Sequence, residues 1–425
     1  MTEWRRVTIG ELVEHHQADV RTGPFGTQLH ASDYTQTGVP VLNVRNLGYG
    51  GIRRVDVALV DAAVQERLST HILRENDIVF GRKGAVDRHA LIRSAEAGWM
   101  QGSDCIRLRL GEGSAITPAF LSMALLTPTH KAWMEAQCSH GATMASLNQE
   151  IISRIQLSVP DLASQNRIAA VLAVFDELIT INERRIELLE DLARSLYREW
   201  FVRFRFPGTD RTTATSKPPS GWTAGRLGDV AEINGCTAKG NELPDPVRYV
   251  DISSVSLRRI EEARAISAAE APGRARRRLR DGDTIWAMVR PNRRSHALVH
   301  DPPEDMIAST GFAVLSPTGV PAAFLFEYTS RPEFADYLVG RATGAAYPAV
   351  RPGDFEEAPL LIPPPDLLAT FGELVDPALR LVSQLAAQKA VLARTRDLLL
   401  PRLVTGRLDI ADIDLGDLLP AETAA

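Results

Sequence analysis

The chain up to residue 160 consists of short apolar runs that Gly, Pro, Asn and Asp interrupt. Residues 39–44, 77–80 and 105–110 are typical runs. Their β-branched content and their alternation of apolar and polar positions favour strands. After Pro160-Asp161, a pair that suits a helix entry, the pattern becomes that of a long helix. The sequence therefore predicts a strand-rich domain followed by a long helix.

Apolar residues then recur every seven positions in two rows, and the same rows return 203 residues later. The first helix carries Leu172, Ile179, Ile186, Ala193 and Trp200 in one row and Phe175, Asn182, Leu189 and Leu196 in the other. The second carries Val375, Val382, Lys389, Arg396 and Leu403, and Ala378, Leu385, Leu392 and Leu399. Each helix could lie on its own domain, but a strict period of about 3.5 residues favours an antiparallel coiled coil in which Asn182 helps to fix the register.

The strand-rich part is also duplicated, which is best sought before any motif. Trp4…Leu12 returns as Trp222…Val230, Asn76–Phe80 as Gly282–Trp286, and Leu157–Pro160 as Leu360–Pro363, at offsets of 218, 206 and 203 residues. A drift in one direction is what loop deletions in the second copy produce. We therefore predict an α+β protein with two duplicated mixed α/β domains, each followed by a long helix.

Composition and charge narrow the function classes. The 425 residues carry a formal charge of −5 and include three widely spaced cysteines. The cysteine spacing does not suit a disulfide framework, and we expect a protein of the reducing cytoplasm. Neither a transmembrane run nor a signal peptide is indicated. We find no phosphate-binding loop, no dinucleotide fingerprint, no Asn-Pro-Pro-Tyr/Phe methylation motif and no metal spacing, and we predict no catalytic residue and no metal ligand. Gly48-Tyr-Gly-Gly51 is interpreted as a turn.

Basic loops occur at the same place in both repeats. Arg82-Lys83 follows the strand at residues 77–80, and Arg290…His296 follows its counterpart at residues 283–286. Residues 248–296 hold 12 Arg and six acidic residues. A charge run is usually a solvated loop, but recurrence at equivalent places favours DNA contact, because the planar donor fork of Arg suits phosphates and guanine edges. The loops at 22–28 and around 140 and 347 are further candidates. The predicted DNA-contacting residues are Arg21, Thr27, Gln28, Arg45, Asn46, Arg82, Lys83, Arg88, His89, His140, Arg258, Arg276, Arg277, Arg290, Asn292, Arg293, Arg294, His296 and Tyr347.

These features together resemble the specificity subunit of type I restriction-modification systems. The resemblance covers the whole chain and includes the opening at Trp4…Leu12, the loop Gly23-Pro-Phe-Gly26, the run Ile155…Gln165…Ile168 and the closing segment 398–408. Two positions depart from the family pattern. Ser164 stands where an acid is usual, and the second repeat has no counterpart of Gln165.

The resemblance implies a non-catalytic DNA-recognition subunit. Each target-recognition domain would read one half of a split target, and the coiled coil would set the spacing and dock two methyltransferase subunits. Those subunits would carry S-adenosylmethionine and methylate adenine, while motor-nuclease subunits would join for cleavage. On this interpretation residues 1–160 and 222–363 are the two recognition domains and 161–206 and 364–408 the spacer helices. Residues 207–221 form a linker and 409–425 an acidic tail. The alternative is a duplicated scaffold that binds protein partners through the coiled coil.

Overall fold

The computed structural model describes residues 4–24, 26, 28–138, 145–208, 218–239 and 242–410. It divides into two compact units, Met1–Thr180 with Ala390–Ala425, and Ile181–Lys389. Each unit combines one strand-rich repeat with parts of both long helices. The predicted mixed α/β class with two domains and long helices is confirmed. The finer division into six segments stays a prediction, and residues 209–217 of the linker and 411–425 of the tail lie outside the described residues.

The first repeat alternates short strands with short helices. Its elements are β1 (Arg5–Thr8), α1 (Ile9–Glu14), β2 (Ala18–Thr22), β3 (Tyr34–Thr35), β4 (Val39–Leu42), β5 (Tyr49–Gly50), β6 (Ala58–Val60), α2 (Ala62–Arg67), β7 (Ile78–Gly81), β8 (His89–Leu91), β9 (Met100–Gln101), β10 (Cys105–Leu110), α3 (Pro118–Leu125), α4 (Pro128–Cys138), α5 (Gln149–Ser153) and β11 (Gln156–Val159).

The central sheet of this repeat has the order β2-β10-β7-β8-β5. Alternation along β10 divides its side chains between two cores. Ile106 and Leu108 face the larger core with the helices, whereas Cys105 faces a smaller core beneath a second sheet, β3-β6-β4-β9. The larger core also takes in Leu172 and Leu403 from the two long helices. The sheet is therefore covered on both faces.

The second repeat follows the same plan. Its elements are β12 (Thr223–Arg226), β13 (Ala231–Ile233), β14 (Val247–Val250), β15 (Val255–Ser256), β16 (Arg259–Ile260), β17 (Arg264–Ile266), β18 (Ala275–Arg278), β19 (Thr284–Ala287), β20 (His296–Leu298), β21 (Met306–Ser309), β22 (Phe312–Pro317), α7 (Ala322–Thr329), α8 (Pro332–Arg341), α9 (Pro352–Glu356) and β23 (Pro359–Ile362).

Equivalent contacts confirm the duplication. Asp77 and Asp283 each accept a hydrogen bond of 2.7 Å from a backbone N–H three residues earlier. The carbonyl of each also accepts a hydrogen bond of 2.8 Å from the residue that follows β8 or β20. The repeats differ beside this point. Where the first repeat has α2 and a 3-10 turn, the second has the arginine-rich β18 at the edge of the sheet β17-β14-β21-β18.

The long helices are α6 (Leu162–Tyr197), which continues as a π-helical turn Arg198–Val202, and α10 (Pro365–Leu403). In the second unit Asn182 of α6 bonds to Gln388 of α10, while Tyr197 packs on Phe371. Rising numbers on one helix thus meet falling numbers on the other, so the helices are antiparallel. In the first unit Arg396 and Asp176 form an ion pair of 2.6 Å.

The heptad positions are the covered ones. The buried predicted interface residues are Leu172, Asn182, Ile186, Val375 and Leu385, and the half-buried ones are Phe175, Ile179, Leu189, Leu196, Val382, Leu392 and Leu399. Apolar residues one position away from the rows, such as Ile181 and Leu188, are exposed. No helix in the described part of the chain is both long and apolar enough to cross a membrane.

The entry to α6 depends on Gln165, which is fully buried. Its amide donates to the carbonyls of Ala115 and Pro160, and its oxygen accepts from the N–H of Thr117 at 2.8 Å. The second repeat lacks this glutamine, and Asp376 takes over part of the task by accepting from the N–H of Ala323 at 2.7 Å. The family departure noted in the sequence is therefore compensated by a different residue of α10.

Candidate nucleic-acid interface

In the second repeat the predicted basic loop leaves β19 and packs against the turn before α9. Arg290 and Arg294 both have positive φ, 53° and 55°, and they bracket a 3-10 turn at Pro291–Arg293. Two left-handed residues reverse the chain tightly, so Asn292 and Arg293 stand exposed at its tip. The N–H of Arg290 donates to the carbonyl of Pro348 at 2.7 Å, which joins the loop to the turn.

The aromatic residue of that turn completes an exposed surface. The Arg290 guanidinium lies 4.7 Å from the ring centroid of Tyr347, whose side chain is 69% exposed. Because this contact between ring and guanidinium is exposed, it can open without loss of a buried contact. The ring can then stack on a base, and the guanidinium can bind a phosphate. We call Arg290, Asn292, Arg293 and Tyr347 the second basic surface. Sequence analysis placed all four residues in the DNA-contacting set, and the structure brings them together.

The first repeat builds the same joint. The carbonyl of Arg82 accepts from the N–H of Leu147 at 2.8 Å, and the N–H of Gly84 donates to the carbonyl of Ala145 at 3.0 Å. Lys83 is exposed and lies 3.4 Å from a carboxylate oxygen of Asp104. The basic loop and the segment before the last strand, predicted separately, are thus adjacent in both repeats. His140 belongs to that segment but lies outside the described residues, as does Thr27.

Tyr49 and Lys131 were not among the residues predicted from the sequence. Tyr49 is 52% exposed, and its ring is approached by the Lys131 ammonium at 4.1 Å and the Arg88 guanidinium at 5.7 Å. Its hydroxyl donates to Asp87 at 2.8 Å. Tyr49, Lys83, Arg88 and Lys131 form the first basic surface. The run Gly48-Tyr-Gly-Gly51 was assigned only a turn. The N–H of Gly48 donates to the carbonyl of Gly51 at 2.9 Å, but the two residues between them form the short strand β5, which pairs with β8. A tyrosine between glycines was the available signal for an exposed ring.

Two of the three predicted histidines, His89 and His296, are corrections. His89 and His296 are buried, and Nε2 of each lies 2.9 Å from a serine hydroxyl, that of Ser122 and Ser330 respectively. Burial lowers the pKa of His89 to about 4 and that of His296 to about 3. They are therefore neutral core residues of β8 and β20. We withdraw both from the DNA-contacting set, because a buried neutral ring offers nothing to a phosphate or a base edge.

Asn46 and Arg258 are also internal. The Asn46 amide donates to the carbonyls of Arg53 and Val55 and holds the loop between β4 and β6. The Arg258 side chain is 8% exposed, bonds to Glu327 at 2.5 Å and lies over the ring of Phe326. Hydrogen-bonding capacity that is spent inside the fold is not available to DNA, so these two residues are withdrawn as well.

The remaining predicted residues are neither part of the two basic surfaces nor buried in the core. Arg45 and Gln28 are exposed, and the Gln28 carbonyl is held by Arg67. Arg276 and Arg277 lie on the edge strand β18, half-buried, with Arg277 donating to Thr237. Arg294 donates to the carbonyl of Ser330 at 2.6 Å and supports the second basic surface from below. Arg21 lies on β2, in a different cluster that is described below.

Comparison with known proteins bears directly on this arrangement. Residues 1–191 match the family model of the type I restriction modification DNA specificity domain. A chain-long likeness in fold links both repeats to the crystal structure of a type I restriction-modification system S subunit from M. genitalium, with a TM-score of 0.65, 16% identity and coverage of 95% of this chain and 96% of that one.

The chain is similar to the type I restriction-modification DNA specificity family over residues 1–191. Two curated members come from Methanocaldococcus jannaschii. The type I restriction enzyme MjaIX specificity subunit is 25% identical over 287 residues, which is 65% of this chain and 66% of that protein. The putative MjaX specificity subunit is 20% identical over 241 residues, which is 50% of this chain and 56% of its own length. The family resemblance predicted from the sequence is confirmed.

Proposed function

We propose that this chain is the DNA-recognition subunit of a type I restriction-modification complex, in which each strand-rich domain reads one half of a bipartite target. The observation that carries the proposal is the repeated joint of a basic loop with the segment before the last strand. In the second domain the joint carries the exposed residues Asn292, Arg293 and Tyr347. In the first domain it carries the exposed Lys83. A duplicated surface of this kind suits a target with two half-sites.

We further propose that the paired helices set the distance between the half-sites. At about 1.5 Å per residue, the 36 residues of α6 and 39 of α10 extend for about 54 and 58 Å. One turn of B-DNA is about 34–36 Å. Helices of this length are long enough to separate two reading domains by a turn of DNA or more.

The helices also offer a docking face for methyltransferase subunits. Ile181, Leu188 and Leu192 follow one another at intervals of seven and four residues, so they share one face of α6. Their side chains are 44%, 52% and 50% exposed. An apolar stripe beside a seam that is already closed is typical of a surface that a partner helix covers. The proposed role places the chain in the cytoplasm with its DNA, and motor-nuclease subunits would join the same complex.

A gel-shift titration with random duplex DNA over a range of salt concentrations, with the methyltransferase subunit present, tests DNA recognition against the scaffold alternative. Replacing Arg293 by alanine should weaken binding and lower the slope of log K against log salt by about one if Arg293 meets a phosphate. Arg226→Ala, an exposed arginine outside both basic surfaces, is the matched control. Salt-independent binding, or equal effects of the two substitutions, would favour the scaffold.

A further inference from the structure

A cluster of arginines lines a cavity of about 350 Å³ in the first domain, away from the basic loop. Its lining residues are Asp19, Arg21, Ser69, Thr70, Ile72, Arg74, Arg107 and Arg109. The register of β2 against β10 places Arg107 opposite Arg21 and Arg109 opposite Asp19, so these strand residues share one face of the sheet. The cavity is therefore formed by the sheet and by the turn at residues 69–74.

Positive charge exceeds negative charge in this cavity. Arg109 is held by both oxygens of the buried Asp77, at 2.6 and 2.7 Å, and Arg107 contacts Asp19. Four guanidinium groups thus face two carboxylates. Arg74 is exposed and has no ion pair among the described residues. Burial, with the charges of Arg21 and Arg107, lowers the pKa of the neighbouring His71, as expected near a net positive cluster.

Arg107 is the unusual member. Its side chain is 2% exposed, its Nη1 reaches the carbonyl of Thr70 at 3.3 Å, and its Nε is buried without a hydrogen-bond partner. A buried guanidinium with an unused donor is costly to a fold. An acceptor that reached this donor would remove the cost.

The second domain shows that the fold does not require these arginines. Because Asp77 corresponds to Asp283, the strand registers make Val314 the counterpart of Arg107 and Ser316 the counterpart of Arg109. Val314 is buried in an apolar core, and Ser316 donates to Asp283 at 2.6 Å. The same sheet is thus built with a valine and a serine.

We propose that this cavity binds a phosphate group. Guanidinium forks and hydroxyls are the usual donors to phosphate oxygens, and the net positive charge would be balanced by a dianion or by a phosphodiester. The phosphate could belong to the backbone of bound duplex DNA or to a free phosphate-bearing ligand. Binding at this cavity does not depend on target reading by the basic surfaces, so each can fail separately.

The test uses the full chain and inorganic phosphate as the probe. Phosphate should raise the melting temperature above that in chloride of equal ionic strength. Because phosphate salts stabilise proteins generally, only the part lost on substitution counts. The double variant Arg107→Val and Arg109→Ser copies the second domain, and Arg74→Ala leaves both buried ion pairs intact. Both variants should lose the phosphate-dependent rise in melting temperature, about 2–4 °C. Arg93→Ala changes an exposed residue elsewhere in the domain and should retain this rise.

The source of the phosphate is settled by a second measurement on the same proteins. If DNA supplies it, Arg74→Ala should lower the salt slope of random-duplex binding by about one. If the slope is unchanged while the phosphate-dependent shift is lost, the ligand is a free phosphate-bearing molecule. Equal phosphate stabilisation of the wild type, Arg74→Ala and the double variant would overturn the proposal.

Discussion

Asn182, a buried polar residue of the otherwise mainly apolar seam, donates its side-chain amide to Oε1 of Gln388, an exposed residue of α10, across 3.1 Å. Asn182 is 4% exposed. A single buried polar residue in a coiled-coil seam fixes the register, because a slip of either helix moves its hydrogen-bond partner away and leaves the buried amide unpaired.

Removing the partner should therefore cost more than removing a surface ion pair. Gln388→Leu is expected to lower the free energy of unfolding by about 1–3 kcal/mol, since it leaves the Asn182 amide unsatisfied. Adding Asn182→Leu should recover most of the loss. Lys389→Ala, which breaks an exposed pair with Glu183, should cost less than about 1 kcal/mol. Urea denaturation followed by circular dichroism measures all four proteins, and a harmless Gln388→Leu would contradict the register role.

Arg258 and Glu327 should behave as a unit. Arg258 in the second domain is equivalent to Gly50 in the first. The residue before Arg258 pairs with His296, and the residue before Gly50 pairs with His89. Both Arg258 and Gly50 have positive φ, 67° and 80° respectively. Arg258→Gly alone leaves Glu327 buried and unpaired, which should cost about 3–5 kcal/mol. Adding Glu327→Met, which copies Met123 of the first domain, should restore most of the stability. Additive losses in thermal unfolding would show that the two residues are independent.

The two buried histidines predict acid sensitivity. Their folded pKa values, about 4 for His89 and about 3 for His296, lie below the ordinary value of 6.5, and burial is the main cause. The unfolded chain therefore binds more protons, so stability is complete above pH 6.5 and falls as the pH drops toward 4. At about 1.4 kcal/mol per pKa unit, His89 can contribute up to about 3 kcal/mol and His296 up to about 5 kcal/mol. His89→Gln should flatten the stability–pH curve between these limits, and an unchanged slope would contradict the assignment.

The sequence predicts the architecture better than the site. Periodicity and duplication extend over much of the chain, so many residues support the prediction of two domains and of the helix seam around Asn182. Whether one basic residue is buried or exposed depends instead on the local register. Arg258 and Arg293 belong to the same charge-rich segment, yet one pairs with Glu327 inside the fold and the other stands at the tip of a turn.

The same limit explains what sequence reasoning missed. Tyr49 and Lys131 are 82 residues apart in the chain, and only the packing of α4 beside β5 brings the ammonium over the ring. His89 and His296 follow basic loops and so looked like phosphate ligands, but strand alternation turns their side chains toward the core. A residue can recur in both repeats because the fold requires it, and not only because both repeats bind the same ligand.

The exposed stripe on α6 gives a prediction about assembly. Leu188→Glu should weaken co-purification of the methyltransferase subunit, because a carboxylate would be desolvated in the covered interface. The substitution should leave the melting temperature within about 1–2 °C, since Leu188 is half exposed and lies outside the seam. Arg185→Ala, exposed on the same helix, is the control. Intact assembly with Leu188→Glu would place the docking surface elsewhere.

The central claim is that the two domains read separate halves of one DNA target. It is tested most directly by replacing residues 1–160 with the corresponding domain of another family member and sequencing the methylated sites in cells that also carry the methyltransferase subunit. The account predicts that one half-site changes while the other half-site and the spacing between them stay the same. A change in both half-sites, or in neither, would contradict it.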